Sequence, residues 1–237
     1  MTIALGLVGT DGVVLAADTE ESYGEMKNET TKILTAFGNG SDACAISGAG
    51  NSAYLTSLGG KLAQVFLSDK NLTEPPLLQA FENCTKTFYS DHIIPFVNFP
   101  DEERPEVRML IAYHRRNVSR LLFSDLSVVA PEMRYKAVGI GSSYAENFLN
   151  RWWRPADTKS LEILAAYIAF AVKESIRYCG KHTQIVTVRS DEPISKVPMS
   201  TVTRWEEEFR SKWAKAEGDS LWKRITQSVS QKSKPEQ

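Results

Sequence analysis

Thr2-Ile3-Ala4-Leu5-Gly6-Leu7-Val8-Gly9-Thr10-Asp11-Gly12-Val13-Val14-Leu15-Ala16-Ala17-Asp18 follows Met1 directly. Two apolar runs, Ile3 to Val8 and Val13 to Ala17, flank the turn residues Gly9 to Gly12, so the segment reads as a β-hairpin. A polar stretch, Thr19 to Thr30, is expected as a loop. A second strand pair follows, Thr31 to Phe37 and Asp42 to Ser47, turned at Asn39-Gly40.

After Gly48-Ala49-Gly50 the period changes. Tyr54, Leu55, Leu58, Leu62, Val65 and Phe66 recur at three- and four-residue steps, which predicts an amphipathic helix. Thr73-Glu74-Pro75-Pro76 is a helix start, with Leu77, Leu78, Phe81, Cys84, Phe88 and Tyr89 on its inner face. Ile94 to Pro105 reads as a loop. Strands return at Val107 to His114, Val118 to Ser124 and Lys136 to Ile140. Gly141-Ser142-Ser143 then caps a helix that ends near Trp152-Trp153. Thr158 to Tyr178 is the longest helical pattern, Cys179-Gly180 stops it, and Gln184 to Arg189 is a last strand. Strands in runs, separated by helix pairs, call for an α+β fold of antiparallel sheets layered with helices. From about Asp191 the composition turns charged, with Trp205, Phe209 and Trp213 on one helical face and Trp222 continuing the stripe. Residues 1–190 are therefore expected to form one domain. Residues 191–237 would form a helical extension whose end, Gln231 to Gln237, is disordered.

The 237 residues carry 28 Lys+Arg against 29 Asp+Glu, a net charge of −1, which lacks the basic footprint of a general nucleic-acid binder. Three widely spaced cysteines, Cys44, Cys84 and Cys179, make no disulfide framework or C-x-x-C site. No secretory leader pattern precedes the hairpin, and the longest apolar run, Ile163 to Val172, is too short for a membrane span. A cytoplasmic, reducing setting is expected.

The chemistry concentrates at Thr2. A small residue after Met1 favours removal of that methionine, and Thr2 would then carry a free amine beside its own hydroxyl. Such an amine titrates near ~7.7–8, so part of it is neutral base at physiological pH. It can accept the hydroxyl proton and so activate the nucleophile.

Four segments, Thr2-Ile3-Ala4-Leu5-Gly6, Asp11 to Asp18, Lys32-Ile33 and Ile46-Ser47-Gly48, together resemble the N-terminal half of proteasome β-type subunits. They are also similar to the bacterial HslV-like peptidases. Tyr135 to Ser142 and Cys179-Gly180 through Val188 resemble the same family's later strand–helix passages. The resemblance implies a four-layer αββα N-terminal-nucleophile hydrolase that cleaves peptide bonds and needs no cofactor or metal. By position it implies Thr2 as nucleophile and base and Lys32 as the cation that eases loss of the hydroxyl proton. Asp18 would be the partner of Lys32, and Gly48 N–H the oxyanion donor. Ile46 and Gly50 would stand near the specificity pocket. It further implies a homo-oligomeric ring acting on peptides or unfolded protein, with any ATPase partner unidentified. The pattern departs at Ile140, where the family carries a serine, and at Glu174 to Cys179. There Ser142 and Ser175, or Glu174, are the candidates for the supporting role.

Two rival readings remain. A self-assembling scaffold would keep the fold and lose the chemistry. A dinucleotide enzyme would use Gly48-Ala49-Gly50-Asn51-Ser52-Ala53 with Asp69 as its acidic residue. His92, His114 and His182 show no metal-ligand spacing, and Cys179 reads as a buried apolar thiol.

Overall fold

In the computed structural model, which describes residues 2–23, 26–68, 73–100 and 105–211, the first strand already sets the layering. β1 (Ile3–Val8) sends Ile3, Leu5 and Leu7 towards a helical layer and Ala4 and Gly6 towards a second sheet. β2 (Gly12–Asp18) mirrors it, with Val14 and Ala16 on the helix side and Val13, Leu15 and Ala17 between the sheets. Along β1 the inner residues are small and the outer ones large, whereas β2 puts Val13 and Leu15 between the sheets and Val14 and Ala16 under the helices, so both faces of this sheet are apolar and it packs on a sheet and on helices.

Among the described residues the chain order holds twelve strands, β1 and β2 included, and four complete α-helices, with a further helix opening at residue 199. β3 (Glu20–Tyr23) and β4 (Met26–Glu29) form a separate hairpin, where the polar Thr19 to Thr30 stretch was expected to be a loop. Its sequence lacks apolar alternation because β4 is exposed along its whole length, so no core face marked it as a strand. β5 (Leu34–Phe37), β6 (Ala43–Gly50), β7 (Val107–Arg115), β8 (Val118–Asp125) and β9 (Val128–Glu132) form one antiparallel sheet. β9 escapes the sequence reading because it is an edge strand holding Pro131, a residue an edge tolerates. The other sheet has the order β10-β1-β2-β11-β12, with β10 (Tyr135–Gly139), β11 (Thr183–Arg189) and the short β12 (Ser195–Lys196).

α1 (Ser52–Ser68) and α2 (Glu74–His92) cover the β5–β9 sheet, and α3 (Ser142–Trp152) and α4 (Thr158–Ser175) cover the other. The order helix, sheet, sheet, helix is the expected αββα sandwich. A short 3₁₀ turn, Ile94–Phe96, interrupts the Ile94 to Pro105 loop. α3 starts within the expected Gly141-Ser142-Ser143 cap, with Gly141 as its N-cap and no side-chain bond from the serines. A true cap occurs at α4, where Asp157 accepts from Ser160 N–H at 2.7 Å. α4 also stops at Ser175, three residues short of the expected end.

Residues 199–211 are helical and pack Val202, Trp205 and Phe209 onto the α3–α4 core. Glu206 anchors them, receiving Lys173 Nζ at 2.6 Å and Thr183 Oγ1 at 2.7 Å. Trp213, Trp222, Asp69 and Gln231 to Gln237 lie outside the described residues. No helix among the described residues is long and apolar enough to cross a membrane.

The inter-sheet layer leaves no room at Gly6, where an added Cβ would stand 2.6 Å from Leu121 Cδ1. Gly6→Val is expected to cost about 1–3 kcal/mol by overpacking, read from the urea unfolding midpoint.

Candidate active site

Asp18 ends β2 opposite Thr183 of β11, and its side chain has no solvent exposure. Burying a carboxylate demands donors, and Asp18 has them. Oδ1 accepts from Thr2 Oγ1, from Ile3 N–H at 3.0 Å and from Lys32 Nζ at 2.9 Å, while Oδ2 accepts from Gly180 N–H at 3.1 Å. The Ile3 and Gly180 amides come from neighbouring backbone, so the carboxylate is oriented by the fold itself.

Lys32 lies just before β5, and both of its backbone groups are gripped. Its N–H donates to Gln184 Oε1 at 3.0 Å, and its carbonyl accepts from Ser47 Oγ at 3.0 Å. The ammonium, on a side chain only 12 % exposed, donates to Asp18 Oδ1, to Thr2 Oγ1 and to the Glu20 carbonyl. Three protons meet three acceptors. Thr2 is buried, and its hydroxyl sits between a carboxylate that accepts its proton and an ammonium that donates to its oxygen. An oxygen held this way is polarised towards nucleophilic attack.

Two glycines bring the remaining walls up to this centre. Gly139 of β10, at φ +103°, lies so close that any Cβ would overlap the Thr2 carbonyl. Gly50, at φ +133°, ends β6 against the Glu106 carbonyl. Both conformations suit glycine alone. Thr2, Lys32, Ile46, Gly48 and Gly50 line one cleft of about 870 Å³.

Other sequence candidates lie elsewhere. Ser175 Oγ donates to Tyr144 Oη at 3.0 Å, Glu174 pairs with Arg210 at 2.9 Å, Ser142 opens α3, and Ile140 is exposed. Cys179 lies beside the centre, and burial, reinforced by the Asp18 charge, pushes its thiol up to about 12, so it stays protonated at neutral pH. His92 packs on Phe88 with ring centres 4.6 Å apart, His114 Nδ1 lies 2.9 Å from Ser119 Oγ, and His182 faces Glu29. No cluster that could hold a metal ion occurs among the described residues. The dinucleotide reading fails on topology, because β6 pairs antiparallel with both β5 and β7 whereas that site needs a parallel βαβ unit.

Sequence reasoning missed Ser47, Gln184, Gly180 and the Glu20 carbonyl. Ser47 stands in the quoted Ile46-Ser47-Gly48 and Gly180 was read as a helix stop, so each was seen without its role. A backbone carbonyl leaves no trace in residue identity.

Removing the cation should expose how much the centre depends on charge pairing. Lys32→Met is expected to destabilise the fold by about 3–5 kcal/mol, since Asp18 is left buried without its counter-charge. Asp18→Asn in the same chain should recover part of the loss, both read by guanidinium unfolding.

A family profile described as "Proteasome subunit" matches residues 2–188. No match was found among curated proteins. Among solved structures the fold is similar to Anbu (ancestral beta-subunit) from Yersinia bercovieri, with a TM-score of 0.74 at 11% identity over 91% of this chain and 97% of that one. A Gly-1 mutant of Anbu from Hyphomicrobium sp. strain MC1 gives 0.76 at 14% identity over 94% and 97%. Anbu from Pseudomonas aeruginosa, described as a helical assembly of the Anbu complex, gives 0.74 at 14% over 93% and 96%. With the profile spanning all but the C-terminal extension, the chain belongs to the proteasome subunit family.

Proposed function

We propose that this protein is a threonine-type N-terminal-nucleophile peptidase. The observation that carries the reading is the Thr2 hydroxyl held between Asp18 and Lys32 at the head of a cleft. Removal of Met1 frees the Thr2 amine. The amine takes the hydroxyl proton as Oγ1 attacks the scissile carbonyl carbon, and the carbonyl π pair moves onto its oxygen. The resulting oxyanion is held by the Gly48 N–H, a preorganised donor worth about 3 kcal/mol. Collapse breaks the C–N bond, the ammonium returns the proton to the departing amine, and an ester on Thr2 remains. Water, deprotonated by the same amine, attacks the ester and releases the acid, restoring the hydroxyl. Lys32 stabilises negative charge developing on Oγ1, and Asp18 fixes Lys32.

The cleft and the family support a peptide or unfolded-protein substrate. We place the chain in the cytoplasm, a setting that three free cysteines fit, and assign residues 1–190 as the hydrolase domain with 191–237 as its extension. A homo-oligomer is proposed on family grounds, and the related Pseudomonas aeruginosa protein is described as a helical assembly. A second reading, a self-assembling scaffold without turnover, is favoured by Ser175 turning to Tyr144 and by exposed Ile140 at the family's serine position.

One experiment separates them. Intact mass is expected to show a chain beginning at Thr2, with turnover of fluorogenic peptides that Thr2→Ser retains in part. Thr2→Ala should lower that rate by roughly 10⁶-fold, to background. Retention of Met1 in the working protein, or full turnover by Thr2→Ala, overturns the peptidase and leaves the scaffold.

A further inference from the structure

Chemistry at Thr2 calls for more negative charge than Asp18 alone carries. When the Thr2 amine takes the hydroxyl proton it becomes an ammonium, a second cation beside Lys32. Asp18 is already paired with Lys32, and its oxygens also accept from Thr2 Oγ1, Ile3 N–H and Gly180 N–H. The candidates at the end of α4 are turned elsewhere, Ser175 to Tyr144 and Glu174 to Arg210.

A second buried carboxylate stands two residues beyond Asp18. Glu20 opens β3, is only 3% exposed and lines the same cleft as Thr2. Its backbone carbonyl accepts from Lys32 Nζ, which holds the residue against the centre. Its side chain reaches Gly180, where an added Cβ would overlap Glu20 Oε2. Gly180 N–H in turn donates to Asp18 Oδ2, so a single glycine touches both carboxylates. The adjoining Cys179 thiol senses both as well: burial raises it first, then Asp18, and Glu20 adds in the same direction.

A charge this deep needs a counter-charge, and Lys27 of β4 supplies one. Its Nζ lies 2.8 Å from Glu20 Oε1 and donates to the Arg177 carbonyl at 3.2 Å. The lysine side chain is 45% exposed, so solvent screens it and it offsets Glu20 only in part. Glu21 is half-buried on the same cleft, and Glu29 and His182 form an exposed pair 4.0 Å apart beside Thr19. Arg177 and Lys181 are exposed on the passage after α4.

We propose that Glu20 is a positioning residue for the N-terminal amine, stabilising the ammonium that forms on Thr2 while Asp18 serves Lys32. Glu20 takes up no proton. The amine receives the proton from the hydroxyl and returns it to the departing amine, and Lys27 sets how much of the Glu20 charge it feels. The proton path rests on the peptidase reading, whereas the effect of Glu20 on the amine is measurable without turnover.

The test titrates the Thr2 amine by NMR in the full chain, using isotope-labelled threonine, alongside the pH profile of fluorogenic-peptide turnover. A carboxylate favours the charged amine, so Glu20→Gln should lower its titration midpoint by roughly one pH unit. Lys27→Met should raise the midpoint, because the same carboxylate is then less offset. The acid limb of turnover should follow each midpoint, while the plateau rate of Glu20→Gln falls roughly tenfold. A merely structural role would lower the plateau and leave both midpoints in place. Midpoints that stay put, or that move the same way in both variants, overturn the role of Glu20 even where turnover persists. Should Glu20→Gln fail to fold, the surface variant Lys27→Met decides by its direction. Opposite shifts without any turnover sink the peptidase reading and leave Glu20 standing. A chain that keeps Met1 has no Thr2 amine and overturns both.

Discussion

A carboxylate without solvent contact persists only where the protein returns the hydrogen bonds that water gave it, and Asp18 is the point from which this fold is organised. Its two oxygens draw in the first strand through Ile3, the loop before β5 through Lys32, and the passage from α4 to β11 through Gly180. Segments distant in sequence meet on one charge. The Thr2 hydroxyl is therefore positioned by the same contacts that hold the sandwich together, and the site cannot be loosened without loosening the sheet that carries it.

The two sheets enter this arrangement unequally. The β1–β2–β11 sheet brings Thr2, Asp18 and Gln184, while the β5–β9 sheet brings Ser47 and Gly48 on β6. Lys32 joins them, its amide bound to Gln184 and its carbonyl to Ser47. Between the sheets the small Ala4, Gly6, Ala17, Ala43 and Ala45 pack with Val13, Leu15, Leu110 and Leu121, and this mixed layer holds the two sheets at a spacing that one lysine bridges. The packing of the middle layer and the geometry of the centre are one problem with one solution.

Much of this was legible in the sequence because it is written in side-chain period. The opening hairpin, the apolar faces of α1 and α2 and the long α4 pattern all bury hydrophobic residues at regular steps, and burial is what periodicity reports. β3 and β4 were not legible, since β4 is exposed along its length and β3 buries Glu20, a charged residue that reads as surface. β9 was hidden by Pro131, and within the expected Gly141-Ser142-Ser143 cap of α3 the N-cap is Gly141, with no side-chain bond. At the site, residues carrying a charge or a reactive group could be singled out, whereas the amide of Gly180 and the carbonyl of Glu20 contribute backbone atoms that every residue owns. Ser175 was legible as a hydroxyl, but its direction, towards Tyr144, is decided by the helix end and not by its identity.

Glu206 gives the C-terminal segment a reach beyond its own helix. It holds Lys173, whose ammonium also donates to the Lys181 carbonyl at 3.1 Å, and Lys181 follows the Gly180 that donates to Asp18. The relay runs from one of the last described turns to the first strand. During synthesis the ribosome emits Thr2 first and Glu206 some two hundred codons later, so the contacts that tie the C-terminal helix to the Asp18 cluster complete only when the chain is nearly finished.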